Sequence, residues 1–336
     1  MKTLSNAILA LAIAAGSITV VGDARGQSAT PIRLSMVGAW KPGVSPAADM
    51  GIKFRDTVNQ LSGGKVVIDF RGAGDVVPPF DQPEALVRGV FDVWFGAPNY
   101  WAGIVRGGYV TEMSPFEIPD NGPGSELFQF VNKLHEVHGA HYLGHMTGKP
   151  GAGNHFLFSQ KKIARIEDLK GMKIRVPPLT RFLVASLGAE PVTLPPGDIY
   201  LALERGTVEG MTWPVYDGFS DFGWQRVTKF MVAHPLYRNG ISIAMNLKKW
   251  NTLPDDVKKI MYRAAANTQA WSGGFVAEKQ AVQVERIKAA GMGIIEFTPQ
   301  ETKRWEDTAR DALWAHFKTV MSPADYETAR RLLGAK

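Results

Sequence analysis

The alternation of short apolar runs with amphipathic stretches near the start of the chain narrows the fold more than any other feature. Ile32-Arg-Leu-Ser-Met-Val37 reads as a strand. Met50, Phe54, Val58 and Leu61 then recur at helical spacing over 47–61, until Ser62-Gly63-Gly64 stops the helix. Val66-Val-Ile-Asp-Phe70 is a second strand, 83–88 a helix, and Val90-Phe-Asp-Val-Trp-Phe95 a third strand. Strands separated by helices do not pair as tight hairpins, so this start implies an α/β fold with a parallel sheet and covering helices. A helix over 126–138 and a strand over 141–145 continue the pattern.

Gly148-Lys-Pro-Gly-Ala-Gly153 is the natural crossover into a second lobe, 151–239, with strands at 155–158, 173–176 and 208–212 and helices at 180–187 and 199–205. Around Arg238-Asn239-Gly240 the chain returns, and 240–290 belongs with the first lobe, 25–150. Helical composition runs over 254–290, where Gly273-Gly274 is expected to kink or split the helix. Residues 291–336 read as closing helices. Two lobes joined by chain crossings suit closure around a ligand. From these patterns alone, a single rigid α/β enzyme domain with a helical tail stands as the alternative.

The chain has 336 residues and no cysteine, which excludes disulfides, thiolate metal sites and cysteine nucleophiles. Lys2 followed by an apolar run over 8–21 reads as an export signal spanning 1–24, with Gly22-Asp23-Ala24 as the cleavage site and Ala29 as a second choice. The net charge of +6 favours small anionic ligands mildly. Basic residues do not cluster with aromatics, so nucleic acid is not an expected partner.

Several catalytic signatures fail on inspection. Gly72-Ala-Gly-Asp-Val-Val77 lacks the third glycine of a dinucleotide fingerprint, and Gly148-Lys149 is followed by Pro150 rather than Ser or Thr. His135 and His138 are spaced i,i+3, where a zinc-protease helix needs i,i+4; with His141 and His145 nearby, these histidines are read as helix-end and strand residues rather than as a metal site. No catalytic pairing, cofactor or metal is called for.

The segment Asp168-Leu-Lys-Gly-Met-Lys-Ile-Arg-Val-Pro177 carries the functional signal. It reads as a stop at Gly171, a short strand, and a break at Pro177 and Pro178. Arg175 therefore sits near a strand end, where the loops of open α/β sheets form ligand clefts. A guanidinium there offers a planar fork of donors that matches a carboxylate. Asp198-Ile-Tyr-Leu-Ala-Leu-Glu-Arg-Gly206 and Val208-Glu-Gly-Met-Thr-Trp-Pro214 follow. Together these stretches resemble the periplasmic solute-binding proteins of TRAP transporters, the bacterial extracellular solute-binding proteins of family 7.

That resemblance implies a two-lobed periplasmic-binding-protein fold with a cleft between lobes and long C-terminal helices. It implies capture of an organic acid and delivery to TRAP membrane permease subunits, with Arg175 as the carboxylate clamp. Where relatives carry an asparagine before the proline, this chain has Trp213. Where dicarboxylate and sialic-acid binders carry a second arginine, it has Asn154, and a cleft phenylalanine of relatives corresponds to Pro196. Both a lost cation and an aromatic gain favour a monocarboxylate with an apolar or aromatic body. A dicarboxylate remains the alternative if Arg71, Arg181 or Arg238 supplies the second charge. Asn99, Tyr100 and Trp101, after the third strand, and Trp40 and Ser45, after the first, are further candidate contacts; Tyr216 and Asp217 are weaker ones. An exported enzyme acting on organic acids, or a sensor that presents its ligand to a receptor, would use the same cleft.

Overall fold

The computed structural model describes residues 30–112, 120–178 and 180–334; the expected export segment, 1–24, lies outside them. The first part of the chain supplies β1 (Ile32–Gly38), β2 (Val66–Gly72), β3 (Val93–Gly96) and β4 (Ala140–Thr147). Then come β5 (Asn154–Ser159), β6 (Lys173–Val176), β7 (Glu190–Thr193), β8 (Gly210–Pro214), β9 (Phe230–Val232) and β10 (Tyr237–Arg238). β11 (Gly240–Asn246) and β12 (Gly293–Ile295) complete two sheets. One has the order β2-β1-β3-β11-β4; the other runs β12-β9-β5-β8-β6-β7, with β10 beside β5.

In the first sheet β1 runs parallel to β2 and β3, as the helix-separated strands require, and β11 returns to lie antiparallel between β3 and β4. The chain changes sheet between Arg238 and Gly240. Helix α1 (Pro46–Leu61) starts on a proline and lays Met50, Phe54 and Val58, all fully buried, against this sheet. Gly63 and Gly64, both at positive φ, end it. Phe95 on β3 packs where Gly38 and Gly51 leave room: a Cβ at either glycine would penetrate the ring. In most helices Gly→Ala gains roughly 0.5–1 kcal/mol. Here overpacking, roughly 1–3 kcal/mol, should win, so Gly51→Ala is expected to lower the midpoint of urea unfolding.

Four strands, β7, β9, β10 and β12, were not anticipated. They have four, three, two and three residues, too few to show a period of two. β12 corrects the reading of 291–336 as closing helices alone, because Gly293–Ile295 adds a parallel strand beside β9 in the second sheet.

The remaining helices are α2 (Gln82–Arg88), α3 (Glu126–Glu136), α4 (Arg181–Ser186), α5 (Ile199–Glu204), α6 (Leu247–Thr252), α7 (Asp255–Ala289), α8 (Pro299–Val320) and α9 (Pro323–Leu333). Against expectation, α7 runs unbroken for 35 residues through Gly273-Gly274. The first crossover pins it there: Lys149 N–H donates to Gly273 O at 3.4 Å, and Ser272 Oγ donates to Thr147 O at 3.0 Å. Gln280 accepts from Gly153 N–H at 3.0 Å. These contacts offset the roughly 1 kcal/mol that each glycine costs a helix. α8 packs on α4 of the second lobe and also reaches the first, through Tyr109 Oη to His316 Nε2 at 2.7 Å. Arg331 of α9 pairs with Glu126 of α3. No helix among the described residues is long and apolar enough to cross a membrane.

Candidate functional site

β6 carries Arg175 into the interior between β7 and β8, flanked by the fully buried Ile174 and Val176. Only 1% of its surface is exposed. Nε donates to Leu194 O at 2.9 Å and Nη1 to Thr212 O at 3.4 Å. The guanidinium carbon lies 5.4 Å from the Trp213 ring centre. Nη2 is buried and has no partner. Burial pulls the guanidinium down to about 10, so it keeps its charge at neutral pH.

That charge faces a pocket built by both lobes. The first lobe contributes Trp40, from the loop after β1, and Asn99 and Tyr100, from the turn that follows β3. The second contributes His155, Pro177 and Trp213 beside Arg175, and the crossover residue Asn239 completes the wall. The cavity is about 20 Å³, room for roughly one water. An organic acid can enter only if the walls move apart.

The polar groups around the pocket tie the lobes together. Glu112 accepts from Asn99 N–H at 2.8 Å, from Asn99 Nδ2 at 2.9 and 2.7 Å, and from Asn239 Nδ2 at 2.7 Å. Burial raises its carboxyl to about 8. Asp217, in the second lobe, accepts from Ser45 Oγ at 2.5 Å and from Ala47 N–H at 3.1 Å, so it caps the N-terminus of α1 across the cleft. Burial lifts it to about 6. Trp213 Nε1 donates to Asp217 O at 2.8 Å, which leaves the indole as an apolar wall.

Three expected contacts lie elsewhere. Asn154 and Arg238 face a separate cavity of about 270 Å³, with Leu236, Glu306 and Arg310. The reason is strand alternation: Asn154 and His155 are consecutive on β5, so they point to opposite faces, and His155 is the one beside Arg175. Arg238 instead donates to Gly148 O at 2.5 Å. Pro196 lines a groove of about 390 Å³ that Trp40, Ser45 and Phe222 share. Of the other proposed second cations, Arg71 pairs with Asp69 and Arg181 bonds Thr193 Oγ1. Arg175 is the one cation lining its pocket among the described residues. The larger cavity is not the better site, because Glu306 and Arg310 set mixed charge along its wall, while the smaller one surrounds an uncompensated buried cation.

The reading missed His155, Glu112 and Asn239. Two of the histidines weighed as a metal cluster are engaged locally: His135 Nδ1 bonds Val131 O at 2.8 Å, and His141 contacts Glu136 and Tyr262. Among the described residues no three metal-ligating side chains converge.

Known proteins share this architecture. A monocarboxylate 2-oxoacid-binding periplasmic protein of Nostoc sp. is 25% identical over 62% of this chain and 58% of its own length. A C4-dicarboxylate-binding periplasmic protein of Rhodobacter capsulatus is 23% identical over 86% of this chain and 84% of its own. The crystal structure of a TRAP periplasmic solute-binding protein from Desulfovibrio salexigens, with bound orotic acid, superposes with a TM-score of 0.77 at 18% identity, covering 90% of this chain and 97% of that one. The family model described as bacterial extracellular solute-binding protein, family 7, matches residues 40–319. This chain therefore belongs to family 7 of the bacterial extracellular solute-binding proteins, and its work is to bind a solute, not to transform one.

Proposed function

We propose that the protein captures a small organic monocarboxylate with an apolar or aromatic body in the periplasm, which it reaches by an N-terminal export signal, and hands it to a TRAP membrane permease. The observation that carries this reading is Arg175, a buried guanidinium whose Nη2 lacks a partner in a pocket walled by Trp40, Tyr100 and Trp213. A carboxylate would accept from that nitrogen in a charge-assisted bond, while the rings would cover the ligand body. Membership of the family supports the export and delivery steps of this reading.

A dicarboxylate requires a second fixed cation, and the pocket offers none among the described residues. Its second carboxylate would find neutral donors such as Trp40 Nε1 and the Tyr100 hydroxyl in place of a cation, which offset its desolvation less well than a charge-assisted pair. The test is calorimetric titration with matched acids that differ by one terminal carboxylate, such as butyrate against succinate and phenylacetate against a phenyl diacid. Tighter binding of the monoacid in each pair is expected. Binding of the diacids alone would overturn the proposal.

A further inference from the structure

The groove of about 390 Å³ beside this pocket is mainly apolar, and both lobes build it. Val44 and Pro79 come from the first lobe, Pro195, Pro196 and Phe222 from the second. Its charged side chains, Lys41 and Asp75, pair with each other at 3.3 Å. Ser45 Oγ is engaged by Asp217. The polar groups along the groove thus already have partners, while Val44 leaves 43% of its surface exposed. Exposed apolar surface gathered into a concavity marks a place where something apolar binds.

Groove and pocket share a partition. Trp40 lines both. Phe222, on the groove side, meets Trp213, on the pocket side, edge to face with ring centres 5.9 Å apart. Leu194, whose carbonyl accepts from Arg175 Nε, runs directly into Pro195 of the groove wall. The groove is therefore the space adjoining a solute held at Arg175. The pocket itself, at about 20 Å³, has no room for a solute's body, and moving Trp40 aside would join the two spaces.

Resting on the monocarboxylate reading, we propose that the solute is an acid with an extended apolar tail, as in a medium-chain or phenylalkanoic acid. Its carboxylate takes Arg175, and its tail runs past Trp40 into the groove between Val44 and Phe222. Each methylene buried there tightens binding roughly three- to fourfold. A polar tail would give up its hydration to side chains that offer it no hydrogen bond. A short acid would leave the groove unfilled and gain nothing from it.

Calorimetric titration with butyrate, hexanoate, octanoate and phenylbutyrate tests this. Octanoate should bind the wild type at least about thirtyfold more tightly than butyrate, with hexanoate between them. Phenylbutyrate should likewise exceed butyrate. Gly197 lines the groove, and a Cβ there meets nothing within 4 Å. Gly197→Phe therefore plugs the groove without a clash, and it should cut the octanoate-over-butyrate ratio below about fivefold. Val44→Asp, which sets a carboxylate on the facing lobe, should lower the same ratio. Equal wild-type affinities along the series, or a ratio that either variant leaves intact, overturns the proposal. If no acid of any length binds, the monocarboxylate reading itself fails and takes this proposal with it.

Discussion

Arg175→Met is expected to abolish carboxylate binding while leaving the ligand-free protein at least as stable as the wild type. The two effects have one cause. The guanidinium is 1% exposed, its Nη2 is unpaired, and burial is the main influence on its charge, the nearby Tyr100 and Tyr237 being neutral phenols. Burying an ion costs several kcal/mol when no partner compensates. Two carbonyl bonds and the Trp213 ring recover part of that cost. Methionine keeps most of the stem volume and removes the charge.

In the proposed mode of binding, a ligand carboxylate supplies the missing partner. Losing one member of such a desolvated pair costs about 2–5 kcal/mol, roughly 30-fold or more in affinity. Micromolar capture is about −8 kcal/mol in all, so binding would fall toward the limit of detection. Calorimetry for affinity and thermal unfolding for stability separate the two claims. Retention of wild-type affinity by Arg175→Met would remove the carboxylate clamp from the account of this site.

The second large effect is acid lability. Burial pushes His145 down to about 3 and His135 to about 4, and holds His155 well below the ordinary 6.5. In the unfolded chain each takes up a proton as pH falls through 6.5, while the folded protein keeps it neutral. The unfolded state then binds more protons, so stability drops on acidification, by about 1.4 kcal/mol per pH unit for each histidine.

Two carboxyls oppose this. Glu112 and Asp217, raised to about 8 and about 6, hold protons in the folded state that the unfolded chain has released. Their stabilisation is complete at low pH and is lost as pH rises through those values. These three histidines against the two carboxyls leave a net loss of order 1–2 kcal/mol per unit between about pH 6 and 4.5, and His141 and His316, also lowered by burial, add to it. The fall steepens below 4.5, where the unfolded carboxyls protonate as well. Above 6.5 only Glu112 contributes, and stability should decline gently toward pH 8. Scanning calorimetry at half-unit intervals should place the highest Tm near neutral pH, and a constant Tm from pH 7 to 4.5 would contradict the argument. His145→Leu should flatten the acidic limb at little cost, because neither ring nitrogen has a partner to lose.

Local pattern and remote pairing separate what the chain discloses from what it hides. β1, β2 and α1 are readable because burial alternates along them with the period of the element: Leu34 and Met36 on the strand, and Met50, Phe54 and Val58 on the helix, are all fully buried. Arg175 is readable because Gly171 and Pro177 delimit a strand around it. Glu112 is not, because its meaning lies in Asn239, 127 residues away. The exchange of Asn154 for His155 is a shift of one residue, which on a strand turns a side chain to the opposite face. The continuity of α7 depends on the crossover loop that touches Gly273, a contact no helical propensity encodes.

The chain passes between the two sheets at 147–154 and at 238–240, and α7 spans them a third time, from its packing on α1 and β4 to Gln283, whose side chain accepts from Ser220 N–H. A door hung on one pin can swing and also swivel. Hung on three straps side by side, it swings about a single line. If the two halves open and shut around a solute as proposed, Trp40 and Asn99 would come back to the same places opposite Arg175 each time, and a misshapen solute could not be accommodated by skewing the jaws.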